Sequence, residues 1–389
     1  MKKHFQGLDL YAIEELLSSE ERMIRDTVRD FVDQEVLPVI EIHHREGQFP
    51  VQLVPRMAAL GLLGSTLTGY GCAGISSVAY GLAMAELERG DSAVRSFSSV
   101  QGSLVMYSIY AFGSEAQKER WLPAMARGQA IGCFGLTEPD FGSNPADMRT
   151  RAVRDGDSFI LNGSKMWITN GHIADCALVW ARAEEGIGGF LVEKGTPGFS
   201  SREIQGKFSF RASFTSELSF EDCRIPASNR LPGALGLKAP LTSLNQARYS
   251  IAWGSIGAAL ACFHAALDYS KERVQFDRPI AGFQLIQEKL VWMAAEITKA
   301  QLLAYHLGRL KDQQRLHHVQ ISLAKMNNVN MALDTARMAR EILGANGISD
   351  EYPVIRHMCN LESVKTYEGT HQVHTLIIGH HLTGISAFQ

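Results

Sequence analysis

Apolar residues recur at helical spacing in the first part of the chain. After Ser18 and Glu21, which are spaced as a capping box, Met23, Ile24, Val28, Phe31, Val32 and Val36 fall on one face. Arg22, Arg25, Asp26, Arg29, Asp30 and Asp33 take the other face, so the pattern predicts an amphipathic helix that Pro38 stops or brings to its last turn. Further helical patterns lie at Val51–Leu62, at Ser77–Arg89 and around Val100–Phe112. From about Ile131 to Leu231 prolines and glycines crowd together and short alternating runs replace the helical period. Ser158–Leu161 meets Asn162-Gly163, a tight-turn signal, and Ala177–Ala181 reads as a strand. Phe208, Phe210, Ala212 and Phe214 alternate with Ser209, Arg211 and Ser213 as on a half-buried strand. Beyond Gly236, three long patterns over Leu244–Gln275, Phe283–Gln313 and Val319–Leu343 each suit a bundle helix, and Gly344-Ala-Asn-Gly347 ends the third. Shorter helices fit Val354–Glu362 and His371–His380. The predicted class is α+β: a helical domain over residues 1–130, a β domain over 131–235 and a helical bundle domain over 236–389.

A length of 389 residues accommodates two or three domains, and 46% apolar with 20% charged residues is ordinary for a soluble protein. A formal net charge of -3 gives no global field for nucleic acid or an anionic membrane, so neither is expected as a partner, and an anionic ligand must be met by local cations. The cysteines at 72, 133, 176, 223, 262 and 359 form neither a CxxC nor a metal-ligand pair, and read as buried thiols of a reduced compartment; no metal is expected. Lys2 and Lys3 have no apolar run behind them, and Asp9, Glu14 and Glu15 make a poor mitochondrial presequence. No uninterrupted apolar stretch reads as a bilayer span. The expectation is a cytoplasmic protein, or a matrix protein if the chain is a mature mitochondrial form. GxGxxG after a strand, GxxxxGK[ST], HExxH and GxSxG are all missing, which disfavours a Rossmann dehydrogenase, a P-loop enzyme, a zincin and a serine hydrolase.

Three segments carry candidate chemistry. Phe134-Gly-Leu-Thr-Glu-Pro-Asp-Phe-Gly-Ser143 is small and hydroxylated around Gly142, so backbone amides can approach a planar or anionic ligand; taken alone it reads as a structural loop. Gly163-Ser-Lys-Met-Trp-Ile-Thr-Asn170 sets Trp167 beside Thr169, and could wall a flat heterocycle and bond its edge; taken alone it reads as a strand with a core tryptophan. Tyr367-Glu368-Gly369-Thr370-His371 puts a carboxylate on a short glycine-containing turn, which suits proton abstraction from carbon; taken alone it reads as a helix end or surface turn.

Together the three segments resemble the acyl-CoA dehydrogenase family and, within it, the glutaryl-CoA dehydrogenases. Ile75–Gly81, Gln205–Ser209, Arg211–Ser213, Ala247–Tyr249 and Gly347–Tyr352 extend the resemblance across nearly the whole chain. It implies an N-terminal helical domain, a middle β domain and a C-terminal four-helix bundle. It implies FAD as cofactor, bound by Phe134, Leu136, Thr137, Gly142, Ser143, Trp167, Ile168 and Thr169. Arg273-Val-Gln275-Phe276 resembles the segment that reaches the FAD of a neighbouring subunit; Gln284, Gln287 and the Gly344–Gly347 turn match further adenosine-side positions, and such sharing implies a homotetramer built as a dimer of dimers. Thr370 and Gln372 fall in the same cofactor-side motif, where Gln372 replaces a common Asp near the FAD ribose. Tyr107-Ser108 in place of His-Pro, Asn144 in place of Asp, and Phe141 in place of a small residue also depart from the pattern.

The resemblance further implies an acyl-CoA substrate, with Glu368 removing the α proton while the β hydrogen passes as hydride to flavin N5, and electron transfer flavoprotein as acceptor. The developing enolate oxygen would meet the Glu368 N–H and a ribityl hydroxyl. Relatives that carry the base elsewhere place it where this chain has Ala247, which cannot act; Arg248 beside it is expected to support the cleft or the CoA moiety, and Ser143 to lie on the substrate side as well. Arg95 and Ser99 share one helix face and could grip a carboxylate, although an arginine there also reads as a surface residue paired with Glu88 or Asp91. They match the positions that hold the distal carboxylate in glutaryl-CoA dehydrogenases, with Glu88 and Tyr367 as the polar partners found in decarboxylating members. The expected reaction is oxidative decarboxylation of glutaryl-CoA to crotonyl-CoA and carbon dioxide, as in lysine and tryptophan degradation. Three alternatives stay open: a non-decarboxylating glutaryl-CoA dehydrogenase, a dehydrogenase of another short acyl-CoA, and a non-catalytic relative that serves as a binding module.

Overall fold

The capping box forms: Ser18 Oγ accepts from the Glu21 N–H at 3.2 Å, and Glu21 Oε2 accepts from the Ser18 N–H at 2.8 Å. It opens α1 (Ser19–Phe31) in a computed structural model that describes residues 5 and 7–388; Lys2 and Lys3 lie outside the described residues. Val28, Phe31, Val32 and Val36 are buried as predicted, but Met23 is 63% exposed. It stands five residues before Val28, about 140° round the helix, whereas Ile24 stands only about 40° away. Pro38 does not stop the helix. The backbone widens into a π turn over Val32–Val36 and continues as α2 (Leu37–Glu46), with Pro38 in the first turn, where a missing N–H costs nothing.

The rest of the N-terminal part is α3 (Val54–Ala59), α4 (Ser77–Gly90), α5 (Ser92–Ser99), a second π segment (Val100–Met106) running into α6 (Tyr107–Phe112), and α7 (Glu115–Ala126). Asp91 joins α4 to α5. Its Oδ1 accepts from the Ala93 N–H at 2.7 Å, and its Oδ2 accepts from Arg356 Nη1 at 2.6 Å and Asn360 Nδ2 at 3.0 Å, which ties this region to a C-terminal helix.

Seven strands then build one sheet: β1 (Gly132–Gly135), β2 (Arg151–Asp155), β3 (Ser158–Thr169), β4 (Cys176–Ala183), β5 (Gly186–Glu193), β6 (Phe199–Glu203) and β7 (Thr215–Pro226). The order is β1-β4-β2-β3-β7-β6, with β5 also on β4; β4 runs parallel to β1 and β2, and the other pairs are antiparallel. Two local expectations fail. Asn162-Gly163 does not turn; it lies inside β3, where the register with β7 slips, and Asn162 exchanges hydrogen bonds with Asp222 across the strands. The hairpin turn is made by Gly156, at φ 59°, and Asp157. Phe208–Phe214 is not a strand but an irregular loop, because its hydrogen bonds run elsewhere: Ser209 Oγ donates to the Cys359 carbonyl at 2.6 Å, and the Phe210 N–H donates to Asn360 Oδ1 at 2.8 Å.

The C-terminal part is α8 (Lys238–Glu272), a short hairpin of β8 (Val274–Gln275) and β9 (Arg278–Pro279), α9 (Gln284–Asp312), α10 (His318–Ile342), α11 (Pro353–Thr366) and α12 (His371–Thr383). Gly344 ends the α10 region at φ 59°, as expected of a glycine there. Against the expectation, one helix, α8, is long and apolar enough to cross a membrane; 78% of its most apolar window is buried inside the protein, so it is the core helix of the bundle. The six cysteines are free thiols, four buried and Cys72 and Cys359 half-buried.

α4 and α8 approach so closely that a Cβ on Gly257 would overlap the Ala85 carbonyl, and one on Gly81 would overlap the Trp253 ring. Gly257→Ala is therefore expected to lower stability by about 3 kcal/mol, because a backbone oxygen cannot swing aside. Urea unfolding checks this: the midpoint falls while the slope stays constant.

Candidate active site

Four residues join α11 to α12. Tyr367 leaves the helix extended, Glu368 sits at φ 53°, Gly369 at φ 97°, and Thr370 caps α12 through its Oγ1, which accepts from the Val373 N–H at 3.2 Å. A left-handed glutamate costs on the order of 1 kcal/mol, so the surroundings must hold it. Two buried cations do so. Lys325 Nζ on α10 donates to the Tyr367 carbonyl at 2.6 Å and the Gly369 carbonyl at 2.5 Å. Arg248 Nε on α8 donates to the Glu368 carbonyl at 2.7 Å. Three successive carbonyls thus point at positive charge. A side chain at Gly369 would press on His374 and Arg248, so only glycine fits there.

The Glu368 carboxyl has one oxygen, Oε2, buried without a hydrogen-bond partner. Burial raises its pKa above the ordinary glutamate value, and the charges of Arg95, Lys325 and Arg248 work against that rise. Arg95, on α5, is fully buried. Its Nε donates to Glu88 Oε2 at 2.5 Å, its Nη2 donates to the Tyr367 hydroxyl, and its Nη1 is buried with no partner. Ser92 Oγ donates to the second Glu88 oxygen at 2.8 Å. Burial raises the Tyr367 pKa, with Arg95 opposing, so the phenol stays protonated. Ser99, one turn further along α5, shares a 2.7 Å hydrogen bond with Ser250. The structure therefore brings Glu88, Arg95, Ser99, Arg248, Tyr367 and Glu368 to one buried junction, with an unpaired guanidinium nitrogen and an unpaired carboxylate oxygen.

The two middle-domain segments are also joined. The Met166 N–H donates to the Thr137 carbonyl at 2.9 Å, and Lys165 Nζ donates to the Leu136 carbonyl at 3.2 Å and to Glu138 Oε1 at 2.8 Å. Trp167 is not a core tryptophan. A slip in the β3–β7 register between Lys165 and Ile168 and a φ of 63° turn its indole outward, 60% exposed. Phe134, Leu136 and Ile168 are buried in the core, so only their backbone is free to face a ligand; Thr137 and Thr169 are half-buried, and Gly142 and Ser143 are exposed. An outward indole beside free backbone and hydroxyls fits a flat heterocycle such as that of FAD. The Phe208–Phe214 loop spans from this wall to the Tyr367–Thr370 turn: the Asn170 N–H donates to the Phe214 carbonyl at 3.0 Å, and the Phe210 ring meets the Tyr367 ring edge-on at 5.6 Å. Leu136 and Phe134 also share a core cluster with Ala247, next to Arg248.

A second group stands around the end of α8. Arg273, Gln275, Phe276, Gln284 and Gln287 are exposed, Phe276 by 88%. Gln287 Nε2 donates to the Ala281 carbonyl at 3.0 Å, and Asn346, between an exposed Gly344 and a buried Gly347, donates to the Tyr269 hydroxyl at 3.1 Å. Their contacts run to one another's neighbourhood rather than to the Tyr367–Thr370 turn. Thr370 is half-buried in that turn and Gln372 exposed on α12. Sequence reasoning missed Lys325 and His374. Lys325 could have been found, since it interrupts the buried run Ile321, Ala324, Asn328, Val329 and Ala332 on α10. His374 is buried on α12 with both ring nitrogens unpaired.

Family models for the N-terminal, middle and C-terminal domains of acyl-CoA dehydrogenases match residues 18–129, 133–223 and 235–383. The chain belongs to the acyl-CoA dehydrogenase family, and FAD is its cofactor. Its fold superimposes on a crystal structure of glutaryl-CoA dehydrogenase from Mycobacterium smegmatis with a TM-score of 0.97, at 58% identity, over 98% of this chain and 99% of the other. A glutaryl-CoA dehydrogenase from the same organism in complex with FADH2 matches at 54% identity with the same TM-score and coverage. An acyl-CoA dehydrogenase of Bacillus subtilis is 37% identical over 375 residues, 95% of this chain and 99% of that one.

Proposed function

We propose that this acyl-CoA dehydrogenase acts on glutaryl-CoA and decarboxylates the product to crotonyl-CoA. One observation carries the reading: a fully buried arginine, Arg95, keeps one nitrogen unpaired beside an unpaired catalytic carboxylate. A buried guanidinium nitrogen without an acceptor is costly even in an ion pair, and a ligand carboxylate, which a monocarboxylic acyl chain lacks, would relieve it. Ser99 adds a hydroxyl on the same helix, and Glu88 and Tyr367 orient the guanidinium.

Glu368 takes the α proton as a base whose basicity is raised by burial. Its backbone N–H polarises the thioester oxygen, and Arg248 fixes the peptide that carries it. FAD, when bound, supplies the two-electron acceptor for the hydride leaving the β carbon. Phe134, Leu136, Ile168 and Gly142 would hold it through their backbone, Thr137, Ser143 and Thr169 through hydroxyls, and Trp167 through its face. The new double bond is conjugated with the thioester, so the bond to the distal carboxylate can break; carbon dioxide leaves, its bonding pair enters a dienolate, and the Glu368 proton is returned to the γ carbon. Electron transfer flavoprotein would take up the electrons. The exposed Arg273–Phe276 hairpin, with Gln284, Gln287 and the Gly344–Gly347 turn, would reach a neighbouring subunit's FAD in a homotetramer. Six free thiols suit a reducing compartment, the cytoplasm.

Turnover of glutaryl-CoA with an artificial acceptor tests this, with product analysis by mass spectrometry. Crotonyl-CoA and carbon dioxide in equal amounts are expected; accumulation of glutaconyl-CoA overturns the second step, and absence of turnover overturns the substrate.

A further inference from the structure

Four elements place charged or titratable groups around Glu368 besides its own turn: α5 brings Arg95, α8 Arg248, α10 Lys325 and α12 His374, while Glu88 of α4 and the phenol of Tyr367 reach it through Arg95. These cations are not equivalent. Arg95 is neutralised by Glu88 across a fully buried ion pair. Arg248 spends its donors on the Glu368 carbonyl and on Asn245 Oδ1 at 3.1 Å. The Lys325 ammonium is buried too and, like Arg248, meets only neutral acceptors, but its two are the carbonyls on either side of Glu368. It fixes the turn without hydrogen-bonding the carboxyl, whose Oε2 is left free.

Building on Glu368 as the base, we propose that Lys325 is a positioning residue for proton abstraction: its ammonium clamps the left-handed turn from both sides and supplies a positive charge near the carboxylate that no acid cancels. The geometry explains why a lysine stands on a buried face of α10. A hydrogen bond from it to the carboxylate would occupy the lone pair needed for the α proton; a bond to the flanking carbonyls leaves that pair available while the charge still favours the ionised form. Arg248 cannot substitute, because it holds only the middle carbonyl. Burial lowers the Lys325 pKa to about 7, and the nearby Glu368 charge opposes that fall. The two groups therefore titrate as a pair. The arrangement assigns Lys325 to basicity, and leaves the grip on the acyl group to Arg95 and Ser99.

The test is the titration of Glu368 itself, in FAD-loaded protein without acyl-CoA, followed by infrared difference spectra of each variant against the same variant carrying Glu368→Gln. In Lys325→Met the carboxyl is expected to hold its proton to a pH higher by about one unit or more. Lys325→Gln, which keeps an N–H donor for the carbonyls but no charge, is expected to shift in the same direction while retaining FAD. The acid limb of kcat should move with it, and the KM for glutaryl-CoA should stay near wild type. An unshifted Glu368 titration in either folded variant overturns the proposal, as does failure of both variants to fold, which would make Lys325 a folding residue alone. Retained turnover in Glu368→Gln would instead sink the base assignment, a result read independently of the spectra.

Discussion

Glu368→Gln yields a folded protein that binds FAD and is reduced by glutaryl-CoA about a thousandfold or more slowly than wild type. The replacement is nearly isosteric, and Glu368 Oε2 has no protein partner to lose, so the fold should hardly notice it. What disappears is the acceptor for the α proton. No second base is at hand: the alternative position is Ala247, fully buried and without a titratable group, and His374, which packs against Gly369, is held neutral with its pKa lowered to about 2 by burial and by Lys325 and Arg248. A neutral imidazole with so low a pKa is a feeble base. In wild type the rate should fall as pH drops through the raised pKa of Glu368, since the protonated form cannot accept; in the variant that limb should be missing. Stopped-flow bleaching of the oxidised flavin measures both. Bleaching at the wild-type rate would move the base to another residue and end the mechanism given above.

What could be read from the chain, and what could not, divides along the range of the forces involved. The capping box at Ser18 and Glu21, the three long helices and the glycine end of α10 are local, and local pattern found them. Pro38 misled because a π turn before it realigns the backbone, so that the proline arrives at a helix start. Asn162-Gly163 has a hairpin composition, but Asp222 on β7 occupies the asparagine side chain and keeps the strand straight through. Phe208–Phe214 alternates like a strand, yet its partners are Cys359 and Asn360, about 150 residues away, and no periodicity can announce them. At the site, the motif residues were legible by resemblance. The outward turn of Trp167 and the clamp of Lys325 on the two carbonyls flanking Glu368 were not, since both depend on a backbone in the left-handed region.

Arg95→Ala should separate substrate choice from chemistry. Loss of the guanidinium leaves Glu88 buried with only the Ser92 hydroxyl, so stability is expected to fall by about 3–5 kcal/mol unless Glu88 takes up a proton. Because that cost confuses any kinetic reading, the informative variant is the double change Arg95→Gln with Glu88→Gln, which keeps hydrogen-bonding capacity and removes both charges. Its stability should recover most of the loss. Its kcat/KM for glutaryl-CoA should still be lower than wild type by about a thousandfold, because the distal carboxylate meets no cation in a dry pocket. With butyryl-CoA, which has a methyl group in place of that carboxylate, the same variant should hold its activity or gain, since a charged guanidinium with an unsatisfied N–H no longer opposes an apolar chain end. The ratio of the two kcat/KM values, wild type against double variant, is the decisive number. Equal losses with both acyl groups would mean that Arg95 serves only to brace Tyr367 and the turn behind it, and that the preference for a dicarboxylic chain is set elsewhere.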